Sequence, residues 1–276
     1  MLSGCHLFEE GAVTSRFFGN QENWGKKLPR IPRAANTLKL ELLFVERPAD
    51  DPLLKDDQLW EGVDTVGDME PLVRKRLLAN GIRVGLSSST PNRAVETLLG
   101  LEADRDGAAA PVNPKKLSGR RIVRPDGGET VVQVSHILPE SRVSIVKDDG
   151  VRVKDFALAR CVMRIKIEQL QEGWAKLDFL PEIHHGRHGY RPVYSNEGLK
   201  GTTSQNIYRL YSLGFPLKLN VGEMAILTSS TTQAESVGGQ FFLRGEGGNR
   251  LQRVLIVRLV DIKKSPLLRS SGNHAN

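Results

Sequence analysis

Cys161-Val-Met-Arg-Ile-Lys-Ile-Glu168, followed by Gln171-Glu172-Gly173 and then Trp174-Ala-Lys-Leu-Asp-Phe179, is the stretch that decides the fold. Cys161, Met163, Ile165 and Ile167 alternate with Arg164, Lys166 and Glu168, so one face is apolar and the other charged. Period two interrupted by a Gly-containing turn predicts an antiparallel hairpin. A thiol in phase with Met163 and Ile165 is expected to be buried and inert. Outward from this ribbon, Val131–Ile137, Val143–Val146 and the Asp148-Asp149-Gly150 turn before Val151 continue the strand pattern. So do Asn206–Tyr211, Leu217–Leu219, Met224–Leu227 and Gln240–Leu243. Val254-Leu-Ile-Val-Arg-Leu-Val-Asp-Ile262 is apolar on both faces and predicts a strand in the middle of its sheet.

The N-terminal half reads differently. Leu38–Glu46 predicts a strand, Asp56-Asp57 caps a short helix with Leu59, Trp60 and Val63, and Glu70-Pro71 opens a second helix that Gly81 stops. Ile82–Leu86 is a strand, and Ser89-Thr90-Pro91 starts a third helix through Leu99. The expected fold class is therefore α+β, an N-terminal α/β unit packed with a larger, mainly antiparallel β region. The expected divisions are a lipobox and tether at 1–36, the α/β unit at 37–101, a loop at 102–120, the antiparallel region at 121–263 and a disordered tail at 264–276.

Leu2-Ser3-Gly4-Cys5 matches the box at which bacterial lipoproteins are acylated and cut, and the Gly- and Pro-bearing residues behind it suit a tether. Acyl chains contribute about 0.8 kcal/mol per buried CH₂, so a multiply acylated Cys5 would anchor the chain to a membrane. An export signal also needs a basic and an apolar region before the cut, and only Met1 precedes the box here. With such a region upstream, the expected location is the periplasmic side of the envelope. Without it, Cys5 is an ordinary thiol and the chain is cytoplasmic. No apolar run approaches the roughly 20 residues of a spanning helix.

Hydrophobic residues at 39% and charged residues at 26% are ordinary for a folded domain, and the net charge of +7 suits an anionic partner. The densest basic stretch is Lys115, Lys116, Arg120, Arg121 and Arg124. It lacks the interleaved aromatics of a base-stacking platform, so a solvated linker is favoured over a nucleic-acid site. Glu182, His184 and His188 are of the types that bind zinc, yet they lie where a strand runs into a Gly-rich loop and no fourth ligand is evident. No nucleophile elbow, phosphate loop or dinucleotide fingerprint appears, and neither a catalytic residue nor a cofactor is expected.

Leu177-Asp-Phe-Leu-Pro-Glu-Ile-His-His-Gly186, Leu217–Leu227 and Gln252–Val260, joined to the ribbon above, resemble uncharacterised lipoprotein-like proteins of planctomycete-type bacteria. In those, a lipobox is followed by a Leu-rich strand and a Leu-Trp-Glu helix, here Leu38–Phe44 and Leu59-Trp60-Glu61. More distantly, a strand ending in Pro181-Glu182-Ile183, the Val221-Gly222-Glu223-Met224 turn and a closing Val254-Leu-Ile-Val257 strand look like the C-terminal homology region of secretins. Secretins are outer-membrane channels of bacterial secretion and pilus systems. The chain departs from them in lacking a Gly-Gly-Leu turn after Ile226-Leu227 and a recognisable pair of membrane-crossing hairpins. The expected function is a non-enzymatic, lipid-anchored envelope protein with a structural or assembly role, with envelope proteins or further copies of itself as partners. The alternatives are a periplasmic metal-binding protein or hydrolase using Glu182, His184 and His188, and a soluble nucleic-acid binder using the 115–124 stretch.

Overall fold

The computed structural model describes residues 36–55, 58–64, 69–101, 116–195, 198–230, 232–245 and 249–264. Two antiparallel sheets carry it. In the first, β1 (Thr37–Pro48), β2 (Ile82–Ser87), β3 (Lys116–Pro125), β10 (Met224–Ser229) and β12 (Leu251–Lys263) run in the order β2-β10-β12-β1-β3. The second is ordered β4 (Glu129–Gln133), β6 (Gly150–Gln171), β7 (Trp174–Ser195), β8 (Gly198–Arg209). There β5 (Leu138–Lys147) also pairs with β6, and β9 (Phe215–Asn220) with β7.

The expected α+β class is overturned. Among the described residues 61% lie in strands and 15% in helices. The helices are short: α1 (Pro52–Lys55), α2 (Pro71–Ala79), α3 (Arg93–Leu99) and α4 (Val237–Phe242). Nor do β1 and β2 form a unit of their own. β1 lies between β12 and β3, and β2 pairs with β10, so strands from both ends of the chain build one sheet. Strand–helix–strand order reads as an α/β unit, but register belongs to whichever partner buries the apolar face. Here Leu38, Leu40 and Leu42 of β1 find it opposite β12 and the second sheet, all fully buried. Described residues all fall in the single compact unit Ala35–Asn276.

The core is two-sided about the first sheet. Leu38, Leu40, Leu42, Leu255, Val257 and Leu259 face the second sheet's Cys161, Met163, Ile165, Ile167, Leu177 and Phe179. On the opposite face Val45, Met224, Ile226, Val254 and Ile256 pack on Leu59, Trp60, Val95 and Leu98. β12 is buried on both faces, as its unbroken apolar run predicts. Two segments differ from expectation. Lys116–Arg120 belongs to β3 rather than to a loop. Gln240–Leu243, expected as a strand, lies at the end of α4 and the start of β11 (Leu243–Arg244). Ser236 caps α4 by accepting from the Gly239 N–H at 2.9 Å. A Cβ on Gly238 would stand 1.7 Å from the Gly81 carbonyl oxygen, so only glycine lets this helix sit against the entry to β2.

Candidate assembly site: a fork between two hairpins

Alternation along β6 and β7 builds the shared root of the site. The two strands pair from the 172–173 turn up to Arg160 opposite His184. Cys161, Met163, Ile165 and Ile167 face the core with Ala175, Leu177, Phe179 and Ile183, and Phe179 stacks on Phe215 at 5.0 Å. Burial pushes the Cys161 thiol up to about 12, despite a bond with Ser135 that works the other way.

The other face carries the charge. Glu182 is 0% exposed although it points away from the core. Arg164 donates to it from Nε at 2.8 Å and Nη2 at 3.2 Å, Arg209 from Nε at 3.0 Å, and His184 Nε2 lies 2.9 Å away. Arg164 also reaches Glu129 on β4 at 2.9 Å. One carboxylate thus gathers β6, β7 and β8, and its principal arginine adds β4. Burial pulls the Glu182 carboxyl up, but the bonds from Arg164 and His184 outweigh it and hold it below the usual carboxylate range.

Past Arg160 and His184 the strands part company. Among the described residues β6 continues only against β5, with Leu138 opposite Ala159 through Lys147 opposite Gly150. β7 continues only against β8, through to Ser195 opposite Gly198. Two places beyond the last shared pair, each strand takes a left-handed residue, Leu158 at φ 50° and Gly186 at φ 79°. Glycine adopts that conformation freely. A leucine does not, and it costs roughly 1–2 kcal/mol. Core alternation shifts there as well, from Phe156 to Ala159, as an irregularity that re-aims a strand should do.

The two arms meet different surroundings. The β5–β6 arm is clamped. Asn80, fully buried at the end of α2, accepts from the Val146 N–H at 2.8 Å and donates to the Val146 carbonyl at 2.9 Å, mimicking a strand neighbour. The Ser144 N–H donates to the Glu235 carbonyl at 2.7 Å, and Arg76 grips Asp148 with two bonds of 3.2 and 2.6 Å. Val143 and Ile145 are buried. Among the described residues the β7–β8 arm, by contrast, is paired only within itself above its base, and Tyr190 on it is 75% exposed. At the base, Gln205 Nε2 donates to the Gly186 carbonyl at 2.8 Å and the Leu158 carbonyl at 3.2 Å. Phe156 packs on His185 at 4.9 Å and Tyr208 at 5.5 Å, with Lys154 Nζ 4.4 Å from the Tyr208 ring centroid. Burial lowers the His185 pKa, and the neighbouring His184 and Lys154 add to it.

The sequence candidates fall in three places. Cys5 and Lys115 lie outside the described residues. Glu182 and His184 are brought together, but His188 stands exposed within β7 and does not join them. The expected strand exit is instead a strand that runs on to Ser195. Because His184 Nε2 is already bonded to Glu182, that nitrogen is not open to a metal. Among the described residues no group of three or more His, Cys, Asp or Glu side chains could hold one. Lys116 begins β3. Arg120 donates to the Val131 carbonyl at 3.3 Å, Arg121 pairs with Glu41 at 2.9 Å, and Arg124 donates to the Glu129 and Val123 carbonyls at 3.2 and 2.9 Å. These three guanidinia brace β3 against its neighbours. Sequence reasoning missed Asn80, Leu158 and Gln205. Asn80 before Gly81 reads only as a helix end, and nothing local marks the other two.

Among the described residues no helix is long and apolar enough to cross a membrane, which leaves strands unaddressed. No family model and no curated protein matches the chain, and neither comparison supports the likeness to planctomycete-type lipoproteins. Among solved structures the chain is weakly similar to the secretin PilQ of the V. cholerae Type IV competence pilus. That match has 10% identity and a TM-score of 0.24, over 81% of this chain and 60% of that one. It is also weakly similar to the T2SS secretin XcpQ from Pseudomonas aeruginosa, at 11% identity and a TM-score of 0.19, over 84% of this chain and 60% of that one. The chain thus spans 60% of the length of each of these two secretins.

Proposed function

We propose that this chain is a non-enzymatic structural or assembly protein of the cell envelope, anchored through an acylated Cys5, whose β7–β8 arm pairs with further copies. One observation carries the reading: among the described residues β7 beyond His185 and β8 along its length each have a partner on one side only. Open strand edges are templates for another chain unless covered. β7 and β8 run antiparallel, so β8 of one copy meets β7 of the next in the same sense at every junction. That contact is head-to-tail, and it closes into a ring or extends as a filament. The envelope location rests on the Leu2-Ser3-Gly4-Cys5 box alone.

Expressed with its native upstream region, the protein should fractionate with membranes, and Cys5→Ser should release it. Mass photometry of the detergent-extracted protein should find assemblies. They should disappear when residues 187–204 are replaced by a short Gly-Ser turn, while the monomer keeps its cooperative unfolding. A wild-type protein that stays monomeric at every concentration would sink the proposal.

A further inference from the structure

We infer that the cavity between α2 and β2 binds a small single-chain amphiphile, a short apolar chain ending in a carboxylate or similar oxyanion. The cavity holds about 330 Å³, at the lower end of pockets that bury a small molecule. Met69, Leu77, Ile82 and Val84 line it, none more than 8% exposed and all part of the main core. The core itself therefore fixes these walls. They suit a hydrocarbon better than water, which stays in a cavity only where several polar partners hold it.

One face of α2 gives the site its polarity. Arg74, Leu77 and Leu78 stand at spacings of three and four, so they share a helix face, and all three line the cavity. Leu78 is 46% exposed, an apolar side chain left at the open side of a buried wall. The Arg74 guanidinium makes no ion pair or hydrogen bond among the described residues, not even with Glu70 one turn earlier. Arg76 on the same helix, by contrast, is bound to Asp148. Arg83 also lines the cavity, with its guanidinium 4.4 Å from the centre of the Trp60 ring, and adds to the positive potential. A guanidinium without a counter-ion beside a hydrocarbon wall complements both ends of an anionic amphiphile. Its planar fork pairs with two oxygens of the headgroup, and the apolar walls gain in proportion to the chain area they cover. A cavity of this size takes one short chain and not the two long chains of a membrane lipid.

Octanoate and octan-1-ol share a chain and differ in charge, so titrating each into the methyl-labelled full chain tests both halves of the proposal. Octanoate should give saturable shifts confined to methyls of Met69, Leu77, Leu78, Ile82 and Val84. Octan-1-ol should shift the same methyls with weaker affinity. Arg74→Gln should weaken octanoate roughly tenfold, the loss of a charge-assisted pair, and octan-1-ol by less than about twofold. Leu78→Ala should weaken both ligands alike. Both side chains are partly exposed, and unshifted methyls of Met163 and Ile165 verify the fold of each variant in the same spectra. Absence of saturable shifts, equal affinity for the acid and the alcohol, or undiminished octanoate binding in Arg74→Gln overturns the site. So does a response to phosphatidylglycerol vesicles and not to octanoate, which would make this face a membrane contact.

Discussion

The β5–β6 and β7–β8 arms leave one sheet at one level, and both are antiparallel hairpins, yet among the described residues only the first is paired and bonded to other elements along its length. β5 finds Val143 and Ile145 a place in the core, and its outward N–H groups at Ser144 and Val146 are met by Glu235 and Asn80. The β7–β8 arm has its ring cluster and Gln205 at the base and its own ladder above. An isolated two-stranded ribbon is marginal in water. The difference shows that a strand edge is made safe by whatever lies beside it in space. Nothing in the hairpin itself does this.

Core truncation should show the contrast most strongly. Ile145→Ala on the clamped arm should cost about 2–5 kcal/mol in urea unfolding, whereas Tyr190→Ala on the free arm should stay within about 0.5 kcal/mol. Equal losses would mean that both arms are anchored alike. Next comes the clamp. Asn80→Ala strands the Val146 N–H and carbonyl where water has little access, and should cost roughly 1–3 kcal/mol, with faster exchange confined to 140–157.

At the root of the free arm, Glu182→Gln should cost about 1–2 kcal/mol, as charge-assisted bonds from Arg164 and Arg209 become neutral ones. Its pH signature sharpens the test. The folded carboxyl titrates below its unfolded value, so its contribution is complete above an unfolded pKa of about 4.3 and is lost as pH falls through the lower folded value. Wild-type stability should therefore drop more steeply than that of Glu182→Gln below about pH 4.3, and the two slopes should agree at pH 6. Parallel slopes throughout would show that the carboxyl has no special role. The smallest effect is expected at the hinge. Leu158→Asn relieves the left-handed leucine and should raise stability by up to about 1 kcal/mol, and a loss would mean that the Leu158 side chain matters more than its backbone.

How much of this was legible depends on the range of the physics involved. Alternation between Cys161 and Phe179 determined the ribbon, its inward face and the buried thiol, because side-chain direction in a strand depends only on position parity. The double-sided apolar run of Val254–Ile262 likewise determined a central strand. The same local signals read 37–101 as an α/β unit and Pro181–Tyr190 as a strand running into a Gly-rich loop. In each case the outcome turned on partners far away in sequence: β12 for β1, and β8 for β7.

The candidate site was legible only in part. Glu182 and His184 stood out by residue type, but the bonds that define them come from Arg164 and Arg209, 18 and 27 residues away. Sequence by itself determined which residues alternate, where turns fall and which strands are apolar. Tertiary structure alone decided that the first sheet draws strands from both ends of the chain, that Asn80 closes one edge, and that among the described residues the other arm has a strand partner on one side only. Alternation and turn chemistry are set within a few residues, whereas hydrogen-bond partners for a strand edge are supplied by whatever the whole fold brings alongside it.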